Sequence, residues 1–186
     1  MNHNLKVTFN APITLTFSFI CVGVYLLNVY TNGYSNSLFF VTGHTSLLDP
    51  LTYFRLVSHC FGHASWSHLI GNLSYILLLG PMLEEKYGSE IIVKIIGITA
   101  LVTGIANYIL FSSGLLGASG VVFAFILLSS ITSVKEGEVP LTFILVALIY
   151  LGQQVYSALF VVDNIANFAH IIGGSIGAYF GFKLNK

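Results

Sequence analysis

Six long apolar stretches constrain this chain more than any other feature, because each approaches the length that an α-helix needs to cross a bilayer. They run over residues 13–30, 68–83, 91–111, 117–134, 141–160 and 166–184, and a long connection covers 31–66. Charged residues make up 8% of the 186 residues, against about 25% in a typical soluble domain. The sequence therefore predicts an all-α polytopic membrane protein, a bundle of six transmembrane helices forming one domain over residues 1–186.

The basic residues predict how such a bundle is oriented. Six lysines fall on one face of a six-span arrangement, and Arg55 alone falls on the other. These lysines are Lys6, Lys86, Lys94, Lys135, Lys183 and Lys186. Because basic residues near helix ends collect on the cytoplasmic side, we expect a multi-pass protein of the cell (inner) membrane with both termini in the cytoplasm.

Three of the six stretches carry polar side chains near their predicted outer ends. His68 and Asn72 are four residues apart in the second stretch, a spacing that places both on one helical face. Ser119 opens the fourth stretch beside Gly117, and His170 lies in the first part of the sixth. Taken singly, each is more typical of a helix end, of close helix packing or of a structural hydrogen bond than of catalysis.

Taken together, these side chains favour a common site. Polar and ionisable groups are costly inside a membrane, and these share one predicted depth. A serine is short, so its oxygen reaches a histidine on another helix only where the two backbones come close. Small residues that permit this approach are Gly117, Gly120 and Ala124 in the fourth stretch and Ala169, Gly173, Gly177 and Gly181 in the sixth. The pattern indicates a Ser119–His170 dyad.

At these residues the chain resembles the rhomboid family of intramembrane serine proteases, in its minimal six-helix bacterial form. The matching segments are HASWSHLIGN at 63–72, GASG at 117–120 and AHIIGGSIG at 169–177. The resemblance implies that Ser119 is the nucleophile and His170 the general base. It also implies that His68, Asn72 and the backbone N–H of Ser119 form the oxyanion hole, in a site that opens toward the outer face.

The resemblance assigns supporting roles to further residues. His63 matches a family histidine with a structural or supporting part, and Glu84 matches a structural acidic residue. Gly173 and Gly177 match the glycines that pack the sixth helix against the fourth. Asn167 precedes the catalytic histidine by about one turn, and we hypothesise that it orients that ring.

Two positions depart from the family pattern. Phe123 stands four residues after Ser119, where relatives often have a tyrosine that stacks on the catalytic histidine. The outer connection has Phe54-Arg55 where relatives often have Trp-Arg. Neither position belongs to the dyad, so the sequence predicts an active enzyme in which the environment of His170 is altered.

The implied partners are transmembrane protein substrates and the lipid bilayer. Seven basic and seven acidic residues cancel, which argues neither for nor against a nucleic-acid partner; we expect none, and we expect no cofactor. The oligomeric state is left open.

Two alternatives to a protease remain at this stage. A catalytically silent rhomboid-like protein would bind membrane proteins without cutting them, although such relatives typically lack the serine or the histidine. A metal site or transporter could use His59, His63 and His68, but no His-Glu-x-x-His motif accompanies them. No acidic residue lies deep in any apolar stretch either.

Overall fold

The computed structural model describes residues 6–43, 45–132, 138–160 and 164–185, and this part of the chain is helical apart from its connections. In chain order the helices are α1 (Pro12–Tyr30), α2 (Asn36–Phe39), α3 (Pro50–Ser58), α4 (Trp66–Tyr87), α5 (Ser89–Leu110), α6 (Ser119–Ser129), α7 (Leu141–Phe160) and α8 (Asn164–Leu184). A 3-10 turn over His59–Phe61 follows α3. The fold class is therefore all-α.

Six of these helices coincide with the six apolar stretches, but their bounds differ from the predicted ones. Helix α6 is the clearest case, since it begins at Ser119 and ends at Ser129 rather than covering 117–134. The segment 133–137 with Lys135, and Lys186, lie outside the described residues. By length and composition, α1 and α5 are able to cross a membrane, each with a mean hydropathy of 1.8.

The predicted connection over 31–66 contains the short helices α2 and α3. Helix α3 begins where Pro50 supplies a preset backbone angle and the Asp49 carboxylate accepts the N–H of Leu51 at 3.0 Å. The connection is tied to α5, because the Tyr108 hydroxyl donates to the Thr45 carbonyl at 2.7 Å. This long segment is therefore packed onto the helices rather than structureless.

Glu84 joins three helices at the end of α4 farthest from His68. Its carboxylate accepts the backbone N–H groups of Ile13 and Thr14, both at 2.9 Å, at the start of α1. It also accepts the Thr14 hydroxyl at 2.8 Å and the hydroxyl of Ser89, which opens α5, at 2.7 Å. The first N–H groups of a helix have no partner within the helix, and the helix dipole favours a negative charge there. Glu84 thus caps α1 from another helix.

Helix α6 is the centre of the bundle, with every residue from 120 to 128 buried. Helix α8 packs directly on it. A methyl group added at Gly173 would lie 2.0 Å from the carbonyl oxygen of Gly120, and one at Gly177 would lie 2.1 Å from that of Ala124. The two backbones therefore touch, and this contact sets the distance between residues at the starts of α6 and α8.

Candidate active site

A cavity of about 530 Å³ lies among the N-terminal turns of α4, α6 and α8. Ser119, His170, His68 and Asn72 all line it. These four side chains come from three helices, so only the packing of α4, α6 and α8 brings them together. The cavity therefore groups the four side chains that the sequence places at one depth.

The position of Ser119 depends on the residues that precede it. Gly117 has a φ of +131°, a conformation that other residues rarely adopt, and it lies two residues before the start of α6. Its N–H donates to the His59 carbonyl at 2.9 Å. A methyl group added at Gly117 would lie 2.6 Å from Cε1 of His68. Gly117 therefore lets the His68 ring approach the backbone that leads into Ser119, the first residue of the helix.

Phe123 supports the ring of His170. The two rings are stacked, with centroids 4.3 Å apart and planes inclined by 7°. Phe123 also meets the ring of Tyr150 on α7 in an edge-to-face contact, with centroids 5.9 Å apart. Phe123 therefore offers His170 an aromatic face that carries no hydroxyl group. Asn167 is buried one turn before His170 on α8.

Asn72 contacts His63 behind the cavity wall. The Asn72 side-chain nitrogen lies 3.0 Å from Nε2 of His63, and Nδ1 of His63 lies 3.1 Å from the Phe61 carbonyl oxygen. The rings of His63 and His68 meet edge to face at 5.0 Å. Burial, together with the neighbouring His68, lowers the pKa of His63 to about 4. His63 is therefore neutral at pH 7.

His59 is separate from this group. Its Nε2 donates to the Ala100 carbonyl at 2.9 Å on α5, and burial lowers its pKa to about 4. Within the part of the chain that the structure describes, no three His, Cys, Asp or Glu side chains are grouped so that they could hold a metal ion. Each of these two rings makes a hydrogen bond to a backbone carbonyl, His59 to Ala100 and His63 to Phe61.

Sequence reasoning missed several residues that line the cavity, among them Tyr75, Phe40 and Leu115. Tyr75 lies on the α4 face of His68 and Asn72, so the helical repeat could have found it. Phe40 and Leu115 belong to connections, and no local pattern marks them. The two connections lie side by side because Val41 and Leu115 exchange two backbone hydrogen bonds, at 3.2 and 2.8 Å.

These features define a class: an apolar helical protein with a serine, two histidines and an asparagine in one cavity. A model of the Rhomboid domain matches residues 50–186, which is more than half of the chain. The chain therefore belongs to the rhomboid family.

Curated relatives agree with this assignment. The chain is 26% identical over 181 residues to the Rhomboid protease GlpG of Haemophilus influenzae, covering 94% of this chain and 93% of that protein. It is also 26% identical over 179 residues to proteins of the same name from Yersinia pestis and Yersinia pseudotuberculosis. That match covers 92% of this chain and 62% of the Yersinia proteins.

Proposed function

We propose that this chain is an intramembrane serine endopeptidase that hydrolyses peptide bonds in or near the transmembrane segments of other membrane proteins. Membership of the rhomboid family and similarity to proteins named rhomboid proteases support proteolysis in the membrane. One observation carries the assignment of residues, namely that Ser119, His170, His68 and Asn72 line a single cavity.

In the proposed reaction, the Ser119 hydroxyl oxygen attacks the scissile carbonyl carbon. His170 accepts the hydroxyl proton and then delivers it to the leaving amine nitrogen, so that an acyl-enzyme forms. A water molecule, activated by the same ring, then hydrolyses the ester and restores the serine. His68, Asn72 and the N–H of Ser119 donate to the oxyanion in both steps. Such donors are often the largest single contribution to catalysis.

The environment of His170 suits a general base. Its ring must keep one orientation while it takes and returns a proton. The stacked Phe123 ring at 4.3 Å restricts tilting of the imidazole. We assign Asn167, buried one turn earlier, a role in orienting the same ring.

We further propose that α1, α4, α5, α6, α7 and α8 are the six membrane spans. Lys6 precedes α1, Lys86 and Lys94 flank the turn between α4 and α5, and Lys183 ends α8. The rule for basic residues places these ends and both termini in the cytoplasm. The cavity at the opposite ends of α4, α6 and α8 then opens toward the outer face of the cell membrane.

The short length of α6 fits a site below the membrane surface. Its eleven residues cover only part of the thickness of a bilayer, and the non-helical segment 111–118 completes this span on the outer side. Irregular backbone is tolerated at that depth where it lines a cavity that water can enter. Gly114, Leu115 and Leu116 of this segment do line the cavity.

The substrate must expose the peptide bond that is cut. A transmembrane helix keeps its amides in internal hydrogen bonds, so the helix has to unwind locally before Ser119 can attack. Substrates with small or helix-breaking residues near the outer end of their span are therefore expected to be cut most readily.

A serine-directed fluorophosphonate tests the proposal. Purified protein should be labelled at Ser119 and should cut a reporter membrane protein, whereas Ser119→Ala should do neither and His170→Ala should label far more slowly. Equal labelling of all three proteins would contradict the dyad. Intact folding without labelling or cleavage would instead favour a catalytically silent family member.

A further inference from the structure

We infer that His63 is a positioning residue that fixes the side-chain amide of Asn72, so that its NH2 group rather than its carbonyl oxygen serves the catalytic cavity. The inference rests on the proposed function of that cavity. His63 is fully buried and is absent from the residues that line the cavity. It therefore acts through Asn72 and not on the substrate.

The first step concerns the proton on His63. Its Nδ1 lies 3.1 Å from the carbonyl oxygen of Phe61. A carbonyl oxygen only accepts hydrogen bonds, so Nδ1 must carry the proton. A neutral imidazole has a single N–H, and burial keeps this ring neutral at pH 7. Nε2 is therefore left with a lone pair and can only accept.

The second step concerns the amide of Asn72. The oxygen and nitrogen of an asparagine amide are distinguished by the hydrogen bonds that they make. The Nε2 lone pair lies 3.0 Å from the amide atom of Asn72, so that atom must be the nitrogen. An oxygen there would set lone pair against lone pair. His63 thus selects one of the two orientations that the amide could adopt.

The third step concerns the remaining hydrogen of the Asn72 NH2 group. One hydrogen is donated to His63, which leaves the other for the cavity. The amide nitrogen faces the segment directly before Ser119, since a methyl group added at Gly117 would lie 3.7 Å from it. The reversed amide would present its carbonyl oxygen to the developing oxyanion. Because both oxygens carry partial or full negative charge, the oxyanion would be repelled instead of stabilised.

His63 is itself held in place from α1. Its backbone carbonyl accepts the side-chain N–H of Asn36 at 3.3 Å, and the backbone N–H of Asn36 donates to the Asn28 side-chain oxygen at 3.2 Å. Asn28 is buried near the end of α1. A chain of hydrogen bonds therefore runs from α1 through His63 to Asn72.

A double-mutant cycle tests whether His63 acts through Asn72. The variants are His63→Leu, Asn72→Ala and their combination, with kcat and KM measured on a reporter membrane protein. Loss of one oxyanion donor lowers kcat by about 10²-fold or more, so we expect that of Asn72→Ala with little change in KM. His63→Leu should lower kcat by a smaller factor, and the double variant should match Asn72→Ala.

Two further variants sharpen the cycle. His63→Gln can offer an oxygen acceptor to the Asn72 amide, so it should recover much of the kcat that His63→Leu loses. His59→Leu removes another buried histidine that shares no hydrogen bond with Asn72, so its effect should multiply with that of Asn72→Ala. If the effects of His63→Leu and Asn72→Ala multiply as well, the inference is overturned and His63 is only structural.

The unsubstituted protein decides the matter if the His63 variants do not fold. In protein labelled with nitrogen-15 at histidine and asparagine, the His63 ring is identified by its coupling across the N–H···N hydrogen bond to Asn72. The expected spectrum at pH 7 shows a protonated Nδ1 and an unprotonated Nε2. The opposite tautomer, a cationic ring or a missing coupling would overturn the inference. This readout needs no turnover, whereas failure of the proposed function would appear as an uncut reporter.

Discussion

A single methyl group at Gly173 should disable the proposed active site. In Gly173→Ala the new carbon would lie 2.0 Å from the Gly120 carbonyl oxygen, whereas ordinary contacts begin at 3.4 Å. The obstacle is backbone in the centre of the bundle and not the end of a flexible side chain. Relief therefore requires α8 to move away from α6.

The size of that movement predicts the loss of activity. Restoring ordinary contact needs a displacement of roughly 1.4 Å, and a misplacement of about 1 Å can cost about 10²-fold in rate. The displaced residues adjoin the dyad, since Gly120 follows Ser119 and Gly173 lies one turn after His170. We expect kcat to fall by about 10²-fold or more, with a loss of stability of about 1–3 kcal/mol from overpacking.

The assay compares Gly173→Ala with a matched control on another helix. At Gly97 of α5, an added methyl group meets no described atom outside its own helix backbone within 4 Å. Gly97→Ala should keep kcat within about two-fold and gain up to about 1 kcal/mol of helix stability. Both proteins are measured for reporter cleavage and for unfolding in detergent. If Gly173→Ala cleaves as fast as Gly97→Ala, the argument from backbone contact is refuted.

Three further predictions follow from the geometry. Phe123→Leu removes the ring stacked on His170 and should lower kcat by about 2–10-fold, which corresponds to about 0.5–1.5 kcal/mol for an aromatic pair. Phe123→Tyr keeps the ring and should not lower kcat. Equal cleavage rates for the two variants would contradict this prediction. Glu84→Ala leaves the start of α1 uncapped and should lower the free energy of unfolding by about 3 kcal/mol, because hydrogen bonds to a charged group contribute about 1.5–3 kcal/mol each. An unchanged melting temperature would exclude the capping role. Burial lowers the pKa of His59 and His63 to about 4, so the folded state binds fewer protons than the unfolded state between about pH 4 and pH 6.5. The free energy of unfolding is therefore highest above about pH 6.5 and should fall by about 2 kcal/mol for each of these histidines by pH 5. Unfolding curves measured at several pH values would show this fall, and its slope against pH should be shallower in His63→Gln.

The sequence by itself determined the helices and most of the candidate site. Apolar stretches of nearly membrane-spanning length become helices because each satisfies its own backbone hydrogen bonds, which is a local requirement. The spacing of His68 and Asn72 places both on one helical face for the same local reason. Polar residues are rare in such stretches because they are costly there, so the few that occur stand out as candidates.

The tertiary structure decided what these residues touch. The start of α6 at Ser119 follows from the backbone angle of Gly117 and from its contact with His68, a residue on another helix. The place of Phe40 in the cavity depends on a pairing between two connections far apart in the chain. Contacts of this kind arise only when whole helices pack, because no short window of sequence contains both partners. The orientation of the Asn72 amide belongs with them, since it is His63, outside α4, that selects it.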